Sequence, residues 1–177
     1  MTRTRAGLLL MLLILSCSCA PGAGGGTEAV DFELPDINPA SPTYGKDVRL
    51  SALWKERGLV VNFMASWCGP CRVELPALQA IHASGDASIV VVAADEGVGT
   101  EDLLTLVRSS GLTMPVLYAG GGRAEEVARA YTYEALPATY LIDAEGQIRQ
   151  LLTGARPEEA FRQAINASLH GSAARRH

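Results

Sequence analysis

Lysine is nearly absent from this 177-residue chain, occurring only as Lys46 and Lys55. No basic stripe can be assembled from so few, which excludes nucleic-acid binding and electrostatic docking on anionic lipid. Histidine is scarce too: His82, His170 and His177 stand at no ligand spacing. A structural zinc site needs a second cysteine pair or a histidine pair, and neither is present. The sequence calls for no metal and no cofactor. No apolar run is long enough to span a bilayer comfortably, since Leu8 to Leu15 falls well short of the roughly 20 residues required. There are no internal repeats.

What the N-terminus does contain is a layout for export. Arg3 and Arg5 make a basic start, Leu8 to Leu15 an apolar centre, and small residues follow. Residues 1–16 therefore read as a signal peptide. Ile14-Leu15-Ser16-Cys17 is similar to a bacterial lipobox, in which Cys17 becomes the lipid-modified N-terminus. Cleavage after Ala20 would place Pro21 just beyond the cut, and lipidation of Cys19 would put Ser16 where an aliphatic residue belongs. The alternative is a plain signal peptide with incidental cysteines. Residues 17–30, glycine-rich from Gly22 to Gly26, read as the lipidated N-terminus and a flexible tether. Residues 31–170 are long enough for one domain with one core, and 171–177 form a flexible tail. Without Arg3 and Arg5, 13 basic residues face 19 acidic ones, a net charge of −6. The expected location is the periplasm or the outer face of a membrane, where unassisted cysteines drift towards disulfides.

Trp67-Cys68-Gly69-Pro70-Cys71 carries the chemistry. An apolar strand, Leu59 to Met64, precedes it and a helical pattern follows, so Cys68 falls at a helix start. Unpaired N–H groups and partial positive charge there stabilise a sulfur anion, and can lower a thiol pKa from about 8.5 to about 7 or below. Cys71 lies one turn on and can close a disulfide with Cys68. Pro70 sits in the first turn, where its missing N–H costs nothing. Pro76 falls inside the helix and removes the bond to the Arg72 carbonyl, which predicts a kink. Glu74 lies three residues after Cys71, beneath the motif. Desolvation there would raise its pKa and make it a proton acceptor for Cys71. A solvated surface glutamate is the plain alternative.

The run Val61-Asn62-Phe63-Met64-Ala65-Ser66-Trp67-Cys68-Gly69-Pro70-Cys71-Arg72-Val73-Glu74-Leu75-Pro76 resembles the TlpA-like branch of membrane-anchored thioredoxin-like oxidoreductases. The likeness extends from about Asp31 to about Leu169. Met64 and Ser66 depart from it, standing where the family commonly has Trp and Thr. The resemblance implies an α/β thioredoxin-like fold, a mixed central sheet with helices on both faces. It also points to Glu74. It places Leu136-Pro137 opposite the motif, with a cis-proline whose preceding residue offers backbone groups to an extended substrate. Trp67, Gly69, Pro70, Leu136 and Pro137 are thus the substrate-binding candidates. Ala138 replaces a frequent Thr.

The function implied is that of a thiol-disulfide oxidoreductase, a monomer tethered through Cys17, reducing oxidised exported proteins such as apocytochrome c. A transmembrane thiol carrier would supply its electrons. Two alternatives share the fold. A thiol peroxidase would carry a Pro-x-x-x-Thr-x-x-Cys pattern, which is missing here. A copper-delivery module would resemble CxxxC plus a distant His, whereas the spacing here is CxxC.

The remaining elements follow from runs and breakers. Asp31 to Ile37 is an edge strand or extended lead-in, Asn38 to Lys46 a loop, and Val48 to Trp54 packs ahead of the Leu59 strand. The helix from Gly69 carries Val73, Leu75, Leu78 and Ile81. Ser88 to Ala94 is a buried strand. Thr100 to Ser110 is a helix capped by Thr100 and stopped by Gly111. Pro115 to Tyr118 is a strand, and Arg123 to Tyr131 a helix. Ala138 to Ile142 and Gln147 to Leu152 form a hairpin. Pro157 to Leu169 is the last helix, with Pro157 in its first turn.

Overall fold

The structure, a computed structural model, describes residues 27–95 and 99–170. Its elements are β1 (Thr27–Glu28), β2 (Glu33–Pro35), β3 (Asp47–Arg49), α1 (Leu50–Trp54), β4 (Leu59–Met64), α2 (Gly69–Ser84), β5 (Ile89–Ala93) and α3 (Thr100–Ser109). They continue with β6 (Val116–Tyr118), α4 (Arg123–Tyr131), β7 (Ala138–Ile142), β8 (Gln147–Thr153) and α5 (Glu158–Ile165), closed by a π-helical turn, Asn166–His170. Six strands form one mixed sheet in the order β1-β8-β7-β4-β5-β6. β4 is parallel to β5 and antiparallel to β7, so it is the centre of the sheet.

Every residue of β4 and β5 is buried, as continuous apolar runs predict for strands covered on both faces. Alternation divides their side chains between two cores. Val60, Met64 and Val91 meet Leu75, Leu78 and Ile81 of α2 and Phe161 of α5. Leu59, Val61 and Phe63 meet Val127 and Tyr131 of α4 on the other face. There the Phe63 ring lies 4.9 Å from that of Tyr131 and 5.0 Å from that of Tyr133. The thioredoxin-like architecture implied by the motif is the observed one. Gly58, entering β4, has φ +83°, and a Cβ there would stand 2.7 Å from the Ile142 carbonyl oxygen. Only glycine fits that approach.

Several local expectations need correction. Val73 is 76 % exposed rather than part of the apolar side of α2. At about 100° per residue it lies some 200° from Leu75. Thr100 is the first residue of α3, not its cap; Gly99 holds the cap position with no side-chain bond. Pro157 precedes α5 as its cap residue, and the helix changes to a π-helical turn at Asn166. Within Asp31 to Ile37 only Glu33–Pro35 is a strand, paired with β3 in a separate two-stranded sheet. α2, by contrast, continues past Pro76 to Ser84 as expected.

The largest departure is at the start of the domain. Thr27 and Glu28 pair with Ile148 and Gln147, and Ala29 is buried, donating its N–H to the Gly146 carbonyl at 2.8 Å. The last four residues of the expected tether are therefore part of the fold. Their partner strand, β8, would otherwise leave an open edge of unpaired backbone groups. Cys17 and residues 171–177 lie outside the described residues.

Candidate active site

β4 ends at Met64 and the chain turns sharply into α2. The turn is pinned by Asp95, whose Oδ1 accepts the backbone N–H of Ser66 at 2.8 Å and its hydroxyl at 2.6 Å. Cys68 follows as the cap residue of α2, and its N–H donates to the Ala65 carbonyl at 3.0 Å. Cys68 and Cys71 form a disulfide with their Cα atoms 5.3 Å apart. The Cys71 N–H donates to Cys68 Sγ at 3.2 Å. One of the helix's orphan donors is thus already directed at the sulfur that would carry negative charge after reduction. Cys68 is 5 % exposed and Cys71 fully enclosed. Access from solvent is through Cys68.

Trp67, 67 % exposed, and the exposed Gly69 and Pro70 form one rim of a cavity of about 420 Å³ that Cys68 lines. The opposite rim is Tyr133, Glu134, Ala135 and Leu136. The Leu136–Pro137 peptide bond is cis, as the resemblance implies. The Pro137 carbonyl accepts the Gly154 N–H at 2.9 Å, which ties this rim to the turn after β8. The sequence-predicted residues Cys68, Cys71, Trp67, Gly69, Pro70, Leu136 and Pro137 are therefore brought together at one end of the sheet.

Glu74 is 1 % exposed, beneath the disulfide rather than on the outer face of α2. Its Oε1 accepts from Asn62 Nδ2 at 2.7 Å, and its Oε2 from the Arg156 backbone N–H at 3.2 Å. Burial pushes its pKa up to about 7, against the hydrogen bonds from Asn62 and Arg156 and the Arg156 charge, which favour the anion. Such a carboxyl can exchange a proton near neutral pH.

The residues that sequence reasoning missed are polar and buried. Asn62 is the single polar side chain in β4, and Asp95 lies just beyond β5. Their signal was present: a polar residue inside an apolar run must find partners, and those partners mark a site. His82, by contrast, is 14 residues along α2 from Cys68, about 20 Å at the helical rise. It cannot join the sulfurs on a metal ion. Among the described residues no group of three or more His, Cys, Asp or Glu converges as a metal site.

The AhpC/TSA family matches residues 26–151. The thiol-disulfide oxidoreductase ResA of Bacillus subtilis is 32 % identical over 143 residues, covering 80 % of this chain and 74 % of that protein. ResA of Geobacillus kaustophilus is 30 % identical over 135 residues, covering 76 % of this chain and 72 % of that protein. Among solved structures, a thio-disulfide isomerase from Thermus thermophilus superposes with a TM-score of 0.66 at 26 % identity, over 82 % of this chain and 97 % of its own.

Proposed function

The chain belongs to the AhpC/TSA family and is a thiol-disulfide oxidoreductase; from that premise we propose that it reduces disulfides in exported proteins. The observation that carries this reading is the Cys68–Cys71 disulfide at the tip of α2, open to substrate at one sulfur, with a buried acid three residues along the helix from the other.

In the reduced protein the Cys68 thiolate attacks one sulfur of a substrate disulfide. A Cys68–substrate mixed disulfide forms, and the other substrate sulfur leaves as a thiolate. Cys71 then gives its proton to Glu74 and attacks Cys68 Sγ. The Cys68–substrate bond breaks, the Cys68–Cys71 bond forms, and the second substrate sulfur is released. Two electrons pass from the dithiol to the substrate, and Glu74 returns its proton to the leaving thiolate or to water. The extended substrate lies along Leu136–Pro137, backbone to backbone, with Trp67, Gly69 and Pro70 against its side chains. Apocytochromes c, which need free thiols for haem attachment, are one substrate class that fits. A membrane thiol carrier restores the dithiol. The test is insulin reduction by the full chain in mild detergent. Turnover with dithiothreitol as the electron source supports the reading. Tight one-to-one copper binding without insulin reduction would overturn it.

The protein is exported and membrane-tethered, and Cys17 is the residue proposed to carry the anchor. Stable attachment takes more than one acyl chain, so Cys17 bears at least two. Cys17→Ala is expected to block processing or release the protein from membranes, while detergent-solubilised activity is unchanged. Mass spectrometry of the mature N-terminus decides this, and an unmodified peptide starting after residue 19 would remove Cys17 from the account.

A further inference from the structure

We propose that Asn62, steadied by Thr139, positions the Glu74 carboxylate to take the Cys71 proton. The proposal rests on the reading of Glu74 as proton acceptor and adds to it two positioning residues on separate strands.

Asn62 occupies the centre of a strand whose other members are Leu59, Val60, Val61, Phe63 and Met64, all buried. Packing alone would be served by another aliphatic side chain. Asn62 Nδ2 instead donates both hydrogens, one to Glu74 Oε1 at 2.7 Å and one to Thr139 Oγ1 at 2.9 Å. Asn62 and Thr139 are directly opposed in the β4–β7 register, on the face that meets α2. Asn62 Oδ1, also buried, has no partner among the described residues. A buried acceptor left unpaired is costly. Turning the amide over would aim that oxygen at an ionised carboxylate, which repels it. The amide is therefore held in the orientation that serves the Glu74 anion, at the expense of its own oxygen.

The other carboxylate oxygen is fixed independently by the Arg156 N–H, so Glu74 is addressed from two sides. The charged group that acts on it is Arg156, from the turn after β8, and Cys71 precedes it by three residues on α2, with Cys68 beyond. β4 and β7 contribute only the neutral Asn62 and Thr139. Donors to a carboxylate favour its ionised form. Removing the Asn62 donor leaves burial less opposed, and the acid keeps its proton to higher pH.

The experiment follows resolution of the mixed disulfide between Cys68 and an aromatic thiol. The full chain in mild detergent is reacted with dithiobis-nitrobenzoate from acid to alkaline pH, and release of the second thiol reports attack by Cys71. Asn62→Leu is expected to move the midpoint of the pH profile upward by about one unit. Thr139→Val, which leaves the amide in place but free to turn, should move it in the same direction by less. In a Glu74→Gln background neither substitution should shift the profile further, since the coupled partner is gone. An unmoved midpoint in both single variants, or an equal shift without Glu74, would overturn the positioning role. Loss of the inflection in Glu74→Gln keeps the acceptor reading intact in that event. Persistence of the inflection there would sink the acceptor reading itself.

Discussion

Cys71→Ser should stop the cycle half-way, with substrate bonded to Cys68 and turnover reduced to the rate without protein. The serine cannot displace a disulfide sulfur, so a non-reducing gel should show a covalent adduct that dithiothreitol releases. Cys68→Ser should form no adduct at all, because Cys71 is fully enclosed by the fold. In the reduced wild type at neutral pH, an alkylating agent should modify Cys68 at least about tenfold faster than Cys71. A drop in thiol pKa from about 8.5 to about 7 raises the thiolate fraction some fifteenfold but lowers its intrinsic nucleophilicity by about fivefold. Charge alone therefore yields only about threefold selectivity. The remainder must come from access, so enclosure of Cys71 is the larger effect. Equal alkylation of the two sulfurs would contradict the assignment.

Glu74→Gln should change both kinetics and stability, with a pH signature that separates the two. Resolution of the mixed disulfide should lose its inflection near pH 7 and slow above it, since the amide accepts no proton. Stability of the oxidised protein should move the other way. The Glu74 carboxyl is raised from 4.5 to about 7 in the fold, so the native state binds the proton more tightly than the unfolded chain. The stability this contributes is fully present below about pH 4.5 and lost as pH rises through about 7. At most about 3 kcal/mol is involved, at 1.36 kcal/mol per unit. Above pH 7 the variant should therefore melt higher than wild type, by less than this maximum. Its amide NH₂ faces either the Arg156 N–H or the Asn62 donor in place of an acceptor. Below pH 4.5 no such gain is expected. Parallel melting curves at all pH values would show that Glu74 ionises freely.

Much of this was legible because it is written locally. β4 and β5 are continuous apolar runs, and such runs between breakers are buried strands. The paired cysteines and Glu74 follow from helical arithmetic, which places positions 71, 74, 75, 78 and 81 on one face. The same arithmetic, applied with care, removes Val73 from that face. The failures are long-range. Asn62 and Thr139 are 77 residues apart, and nothing near either one says that they share a hydrogen bond. Thr27–Glu28 carries no strand pattern of its own and is ordered by the edge of β8, which lies 119 residues further on at Gln147. Neither partnership has a local signature.

The short strand β1 also gives the domain a direction. It pairs with Ile148 and Gln147, the end of β8 that lies beside Ile142 and, across the sheet, Leu59. The disulfide lies at the other pole, where Met64 leads into α2 and Thr153 stands beside Ala138. The ten residues from Cys17, the proposed anchor, to Thr27 could reach at most about 35 Å. If Cys17 is lipidated as proposed, the domain would be held from the pole opposite its cysteines. Partners dissolved in the aqueous space would then meet the disulfide directly. On that anchoring, a donor embedded in the membrane would reach the disulfide only in a pose other than the one that presents it outward, and oxidation and re-reduction would call for different poses of one tethered body.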